Sequence, residues 1–207
     1  MKYFILIFIS LITLIIFTSC GLIYTTKGAP TKEQKELVEK YAGLYVFDKK
    51  LRDEIIQREK EREEARQKVT LGDTFWEQRE AIDNKLPQTL SNGYEYSDGL
   101  GYYEKEYEPY YQQIKDYMGE EVFNKLKPDI ILTSFYRIKK EKNKEKHIPI
   151  TFLVEFTWTI TTYGLYGDEG AGIRFTETWE TGMGGDNIFY LENGKFVKSN
   201  EKRKDMR

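Results

Sequence analysis

The sequence is poor in cysteine and histidine. Its 207 residues include one cysteine, one histidine and five prolines. A single cysteine excludes an intramolecular disulfide, so stability must come from packing. The one histidine, His147, lies in a lysine-rich stretch that predicts a surface turn. This inventory excludes a histidine-based catalytic triad and a His/Cys metal cluster, so we expect no metal and no cofactor.

The sequence also lacks an excess of charge of either sign. It carries 32 basic and 34 acidic residues, a net charge of −2. This balance gives no reason to expect a nucleic-acid partner or electrostatic binding to an anionic surface. Aromatic residues, in contrast, are abundant, with 16 tyrosines and 12 phenylalanines. Each buries a large apolar area, so aromatic packing is expected to stabilise a domain without disulfides.

A long apolar run occurs at the N-terminus. Lys2 precedes the stretch "YFILIFISLITLIIF", which ends at Phe17 and is followed by the small residues Thr18 and Ser19. A positive charge, an apolar run and small residues are typical of a secretory signal peptide. As a helix the run would measure about 22 Å, shorter than the roughly 30 Å of a hydrocarbon core. We therefore predict a removable signal in residues 1–19.

The end of this run, Phe17-Thr18-Ser19-Cys20, resembles the lipobox of bacterial lipoproteins, with phenylalanine where leucine is usual. The resemblance implies a diacylglycerol on the thiol of Cys20 and cleavage just before it. It also implies a cell-envelope protein that is held at a membrane by lipid and faces away from the cytoplasm. Gly21 stands where an aspartate would retain the protein at the inner membrane, which points to the outer one. The alternatives are an uncleaved anchor over residues 3–24 and a buried structural cysteine.

The next part of the chain predicts a tether and then helices. Residues 20–30 comprise the lipidated cysteine and a tether, and residues 31–101 a helical region with a loop. Thr31 and Gln34 form a capping box, after which apolar residues follow at helical spacing as far as Leu44 and Tyr45. The charged segment 52–68 predicts an exposed helix, or alternatively a partner-binding arm. A second helix over 74–86 and a loop over 87–101 complete this region.

We predict an α+β domain over residues 102–199 and a charged tail over residues 200–207. Tyrosines at three- to four-residue steps favour a helix packed on a sheet, broken at Gly119 and ending at Leu126. Strands follow, including one over 148–162 that would extend about 50 Å and must therefore bend, bulge or end early. Asn193-Gly194 predicts a tight hairpin.

The predicted fold class is α+β, with N-terminal helices followed by a curved antiparallel sheet of about four to five strands packed on a helix. The order of elements over residues 103–199 resembles the cystatin-like or nuclear transport factor two-like architecture. That resemblance implies a sheet wrapped around a helix as a cone with an open mouth. The family uses the cone for small ligands, for dimerisation or for catalysis.

The candidate site residues lie mostly in the predicted sheet. Glu177 falls in phase with Ile173, Phe175 and Trp179, which we expect to point inward. A buried carboxylate is costly and has a raised pKa, which makes Glu177 a candidate catalytic residue. The alternative is a register shift that leaves it in water. The glycine-rich segment 163–172 lacks the lysine and helix of a phosphate loop and predicts a hairpin loop.

Three functions are compatible with these patterns. The first is a non-catalytic binding or assembly module for a protein partner or a small ligand, which the lack of catalytic side chains favours. The second is a carboxylate-dependent hydrolase using Glu177 and Glu155, although these two are predicted on opposite faces. The third is a glycan- or peptidoglycan-binding module. For ligand binding, the candidates are Tyr102, Tyr103 and Trp179.

Overall fold

The computed structural model describes residues 3, 7–10, 25–70, 72, 74–101, 105–139, 145–166, 170, 172 and 174–203. The chain divides into two compact units. The first, Met1–Lys35 with Thr157–Met183, is named the ribbon unit below. The second, Glu36–Phe156 with Gly184–Arg207, is named the core unit. Helices and strands alternate irregularly along the chain, which confirms the predicted α+β class.

The described part of the chain contains five helices between residues 32 and 126. They are α1 (Lys32–Tyr41), α2 (Lys49–Arg66), α3 (Phe75–Lys85), α4 (Glu108–Met118) and α5 (Glu120–Leu126), with a 3₁₀ turn over Lys105–Tyr107 before α4. The capping box at the start of α1 is confirmed, since the Thr31 amide donates to Gln34 and the Gln34 amide to Thr31. The break at Gly119, where φ is 85°, is also confirmed. No described helix has the length and apolar character that crossing a membrane requires.

The described part of the chain contains eight strands, more than the four to five expected. They are β1 (Thr25–Lys27), β2 (Gly43–Val46), β3 (Tyr96–Gly101), β4 (Asp129–Lys139), β5 (Glu145–Tyr166), β6 (Arg174–Met183), β7 (Asn187–Glu192) and β8 (Lys195–Lys202). Their order is β3-β4-β5-β2-β7-β8, and β1 and β6 also pair with β5. The β2–β7 pair is parallel, so the sheet is mixed where a wholly antiparallel one was predicted.

Two short strands replace predicted helix and loop. Leu44 and Tyr45 were expected on the first helix but belong to β2, because the backbone turns at Gly43 with φ of 147°. A Cβ on Gly43 would lie 2.2 Å from the carbonyl oxygen of Asn187, so only glycine allows β2 to approach β7 this closely. The second strand is β3, formed by the end of the predicted loop 87–101.

Aromatic side chains fill one face of the sheet in the core unit. Tyr45 stacks on Phe189 with ring centroids 4.5 Å apart, and Tyr111 of α4 contacts Phe152 edge-on at 5.3 Å. Tyr107, immediately before α4, is also fully buried. The tyrosines at three- to four-residue steps, named the tyrosine stripe below, therefore contribute to the core, as their helical spacing predicted.

Helix α2 covers the opposite face, where Ile55 packs in a buried cluster with Ile150 of β5. We expected this helix to be a solvated surface. Most of its charged side chains are indeed exposed or half-exposed, but it also buries two arginines, Arg52 and Arg62, each about 4% exposed. A helix with hardly any apolar stripe thus reaches the core through charged side chains that find partners there.

The long strand β5 has 22 residues and is irregular, as its length predicted. Its register with β4 shifts on both sides of the pair Ser134–Thr151. Such irregularities bend a strand and redirect its side chains. The last hairpin is also confirmed, because Asn193 and Gly194 between β7 and β8 have φ angles of 51° and 79°.

Candidate functional site

The candidate site is a cleft between α2 and the sheet within the core unit. Its volume is about 210 Å³, and it is named the α2 cleft below. The walls combine apolar side chains with a few polar groups, which is the usual character of small-molecule sites. The lining residues are Leu44, Arg52, Ile55, Ile56, Asp98, Thr133, Ser134, Thr151, Leu153 and Arg203.

Three hydroxyl groups form the polar floor of the α2 cleft. The Oγ1 of Thr151 lies 2.7 Å from Oγ1 of Thr133 and 2.6 Å from Oγ of Ser134. Consecutive residues of a regular strand face opposite sides, so the shifted register of β4 is what brings Thr133 and Ser134 to the same side. A hydroxyl can donate or accept. The floor can therefore adapt to either kind of polar group on a ligand.

Arg52 supplies a fixed positive charge at the cleft. Its Nη1 donates to the hydroxyl of Tyr190 at 2.7 Å and to Asp53 at 3.0 Å. The Tyr190 hydroxyl in turn donates to Glu201 at 2.6 Å. Burial and this hydrogen bond to Glu201 raise the pKa of Tyr190, so it stays a neutral donor. The chain of bonds holds the guanidinium of Arg52 in one orientation.

Asp98 of β3 also lines the α2 cleft. Solvent reaches the residue, but the protein around its carboxyl group removes part of its hydration and raises its pKa. The negative charge of Glu59 acts in the same direction. Glu59 itself accepts hydrogen bonds from Tyr96 at 2.7 Å and from Gln88 at 3.0 Å. Asp98 is therefore protonated more readily than an ordinary aspartate and can then donate a hydrogen bond.

Arg203 is the second arginine that lines the α2 cleft. Its Nη1 lies 3.8 Å from Oε1 of Glu155, a distance too long for a hydrogen bond. The Arg203 side chain is partly exposed, unlike that of Arg52. It can thus turn its donors toward a ligand without breaking a hydrogen bond to Glu155.

The structure places the candidate carboxylates in different units. Glu177 lies on β6 in the ribbon unit, where Arg174 donates to it at 3.0 Å, and Glu155 lies in the core unit. The expected inward orientation of β6 is wrong for its aromatic residues, because Phe175 is 71% and Trp179 43% exposed. The Glu177 side chain is itself 43% exposed. It is therefore not the desolvated carboxylate that the alternation predicted.

The other predicted positions have varied outcomes. Cys20, Tyr102 and Tyr103 lie outside the described residues. His147 was expected in a surface turn but is partly buried on β5. Its ring centroid lies 4.7 Å from that of Phe135. Within the described ranges, no three histidine, cysteine or acidic side chains come together as metal ligands would.

Sequence reasoning missed the residues of the α2 cleft. Arg52 stands at the start of a long charged segment and looked like a surface residue. Asp98 stood in a segment with strong turn signals. Thr133-Ser134 did carry a usable signal, since two consecutive polar residues interrupt the apolar strand "DIILTSFYRI". Such an interruption indicates a local irregularity in a strand.

Comparison of the chain with models of protein families, with curated proteins and with solved structures finds no match.

Proposed function

We propose that the chain is a lipid-anchored, non-catalytic binding protein of the bacterial cell envelope, held at a membrane through Cys20. Its α2 cleft binds a small anionic molecule with an apolar body. One observation carries the binding proposal: two guanidinium groups, Arg52 and Arg203, line the same cavity as four aliphatic side chains.

The lining determines the ligand chemistry. The aliphatic walls favour an apolar body, because they remove its surface from water. Guanidinium groups favour a carboxylate or another planar anion, which they bind with charge-assisted hydrogen bonds. The hydroxyl floor offers further hydrogen bonds. A cavity of about 210 Å³ limits the ligand to a small molecule.

The binding proposal is tested with octanoate as the anionic probe and 1-octanol as its uncharged analogue, by calorimetric titration of the full chain. We expect octanoate to bind more tightly than octanol. Arg203→Gln should weaken octanoate about tenfold, since a hydrogen bond to a charged group contributes roughly 1.5 kcal/mol or more. Octanol binding should not change.

The matched control is Arg174→Gln. Arg174, like Arg203, is a solvent-accessible arginine next to a glutamate, but it lies on β6 in the ribbon unit. It should leave the affinity for octanoate unchanged. Equal affinities for octanoate and octanol, or equal losses in the two arginine variants, would contradict the proposal.

The anchor is tested separately with Cys20→Ala in cells supplied with labelled fatty acid. Removing the thiol should leave an uncleaved precursor without label. Ser19→Ala, which keeps a small residue before the cysteine, should still be labelled and processed. Normal maturation of Cys20→Ala would refute the assignment of the thiol.

Of the two alternatives, the hydrolase receives no support from the described residues, whereas the glycan-binding module keeps one exposed candidate, Trp179. Glu155 and Glu177, the carboxylates of the hydrolase hypothesis, each lie beside an arginine and belong to different units. Tyr107 and Tyr111 of the tyrosine stripe are buried in the core and cannot stack on a sugar. The binding module is therefore the function we retain.

A further inference from the structure

The ribbon unit exposes two large aromatic side chains on one face. Thr161 on β5 and Thr178 on β6 have their hydroxyl oxygens 3.1 Å apart, so they lie on the same face of the ribbon. Side chains alternate along a strand, which places Phe175 and Trp179 together on the other face, with Glu177 between them in its ion pair with Arg174. Their exposed fractions are 71% and 43%. An aromatic pair of this kind on a polar surface needs an explanation in terms of what it contacts.

The register of β1 fixes the direction of the chain that precedes it. Thr25 pairs with Tyr163 and Lys27 with Thr161, in antiparallel fashion. Moving from Lys27 to Thr25 therefore means moving toward the end of β5 at Tyr166. Phe175 is the second residue of β6, which follows β5 in the chain and pairs with it. The segment before β1 and the aromatic residue Phe175 thus belong to the same end of the ribbon.

The distance from this end to the anchor is bounded by covalent geometry. Cys20 precedes Thr25 by five residues, which can span at most about 18 Å. A lipid on Cys20 would hold the end of the ribbon within that distance of the bilayer surface. An uncleaved anchor ending at Tyr24 would hold it closer still. Tryptophan and other aromatic side chains favour this interfacial layer, where an apolar ring meets a hydrated headgroup.

The charges of the ribbon are balanced. Over the sequence of the ribbon unit, five basic residues match five acidic ones, and Arg174 is paired with Glu177 at 3.0 Å. They are Lys2, Lys27, Lys32, Lys35 and Arg174, against Glu33, Asp168, Glu169, Glu177 and Glu180. Attraction to anionic lipid therefore contributes little. We infer that the aromatic face of the ribbon, carrying Phe175 and Trp179, docks on the phospholipid bilayer to which the chain is anchored. The inference rests on the anchoring proposed above, and it adds a second, non-covalent membrane contact.

The test measures the depth of single tryptophans in the full chain, reconstituted in phosphatidylcholine vesicles. The chain has three tryptophans, so a Trp179-only form needs Trp76→Phe and Trp158→Phe. We expect its fluorescence to be quenched about twofold more by a spin label at headgroup depth than by one at the bilayer centre. Adding phosphatidylglycerol should change neither value. Phe175→Ser in the same form should reduce the quenching by the shallow label.

The matched control is a Trp76-only form, because Trp76 is 76% exposed on α3 but belongs to the core unit. We expect little quenching of Trp76. Equal quenching of Trp76 and Trp179, absence of quenching of Trp179, or quenching that requires anionic lipid would each overturn the inference. Far-ultraviolet circular dichroism checks that the substituted forms are folded.

The mass of the N-terminal peptide, measured on the same sample, separates this inference from the anchoring proposal. An acylated Cys20 with unquenched Trp179 refutes the docked ribbon alone. An unmodified Cys20 with quenched Trp179 refutes lipidation and supports docking through an uncleaved anchor.

Discussion

Replacing Arg62 by methionine tests whether the charged helix α2 is part of the core. The Arg62 side chain is about 5% exposed and donates to Asp83 at 2.8 Å and to the backbone carbonyl of Leu86. Its Nε also lies 3.3 Å from Glu59. Methionine keeps the length and apolar stem of the side chain but removes its charge and all of its donors. Two carboxylates and one carbonyl then lose a partner.

The expected loss follows from how far those partners are buried. Removing one member of a fully buried ion pair costs about 3–5 kcal/mol. Glu59 and Asp83 are 24% and 49% exposed, so water compensates part of the loss. We expect Arg62→Met to lower the free energy of unfolding by roughly 2–4 kcal/mol. Urea denaturation followed by circular dichroism measures this value.

Arg58→Met is the matched control on the same helix. Arg58 is 35% exposed and pairs with Glu54, which keeps two hydrogen bonds from Ser91 when the arginine is removed. This substitution should cost less than about 1 kcal/mol. If the two variants lose equal stability, the charges of α2 are equally hydrated, and the argument that Arg62 is a core residue is refuted.

Two further predictions concern stability. Gly43→Ala should lower the free energy of unfolding by about 3 kcal/mol or more, because it combines a positive φ with a Cβ 2.2 Å from the Asn187 carbonyl oxygen. Gly93→Ala is the control: φ is 83° but the space around it is open, so the loss in the same urea assay should be roughly 1–2 kcal/mol. Burial raises the pKa of Glu54, but hydrogen bonds from Ser91 and a neighbouring arginine outweigh it, so the folded pKa lies below 4.5. Glu54 thus stabilises the fold above about pH 4.5 and loses this effect as pH falls through the folded pKa. Ser91→Ala should reduce the loss of unfolding free energy as pH falls below about 4.5. An unchanged loss would contradict the claim that Ser91 lowers the pKa of Glu54.

The features that could be predicted from sequence depend on neighbours in the chain. The capping box of Thr31 and Gln34 and the hairpin at Asn193-Gly194 each involve residues within a few positions. The break at Gly119 is also a local signal. Local geometry and side-chain chemistry decide such features almost alone, and the structure confirms them.

Strand β2 could not be predicted for the opposite reason. It has four residues, too few for its period to be distinguished from that of the preceding helix. Its neighbours in the sheet are β5 and β7, far along the chain. The side chain of Asn187, which donates to the carbonyls of Glu39 and Ala42 at 2.8 and 2.9 Å, fixes β7 against the end of α1. No sequence signal near residue 43 indicates that Asn187 will be its neighbour in the fold.

The candidate site escaped prediction because its residues come from separate elements. Arg52 belongs to α2, Asp98 to β3 and Arg203 follows β8. Each has an ordinary surface-like sequence context, and only the fold brings them to one cleft. Glu177 was the opposite case, since alternation alone placed it in a core that β6 does not have. A period of two identifies a face but not what covers that face.

The position of β2 between β5 and β7 has a consequence for how the core unit forms. The contact of Asn187 with the Ala42 carbonyl joins residues 145 positions apart. Closing so long a loop lowers the entropy of the chain before the strand pairing provides any stabilisation. Proteins with many such distant contacts therefore fold slowly. The central strand β2 can therefore pair with β7 only after nearly the whole polypeptide has been synthesised. Until β7 has been made, β2 can pair with β5 but not with its second neighbour in the sheet.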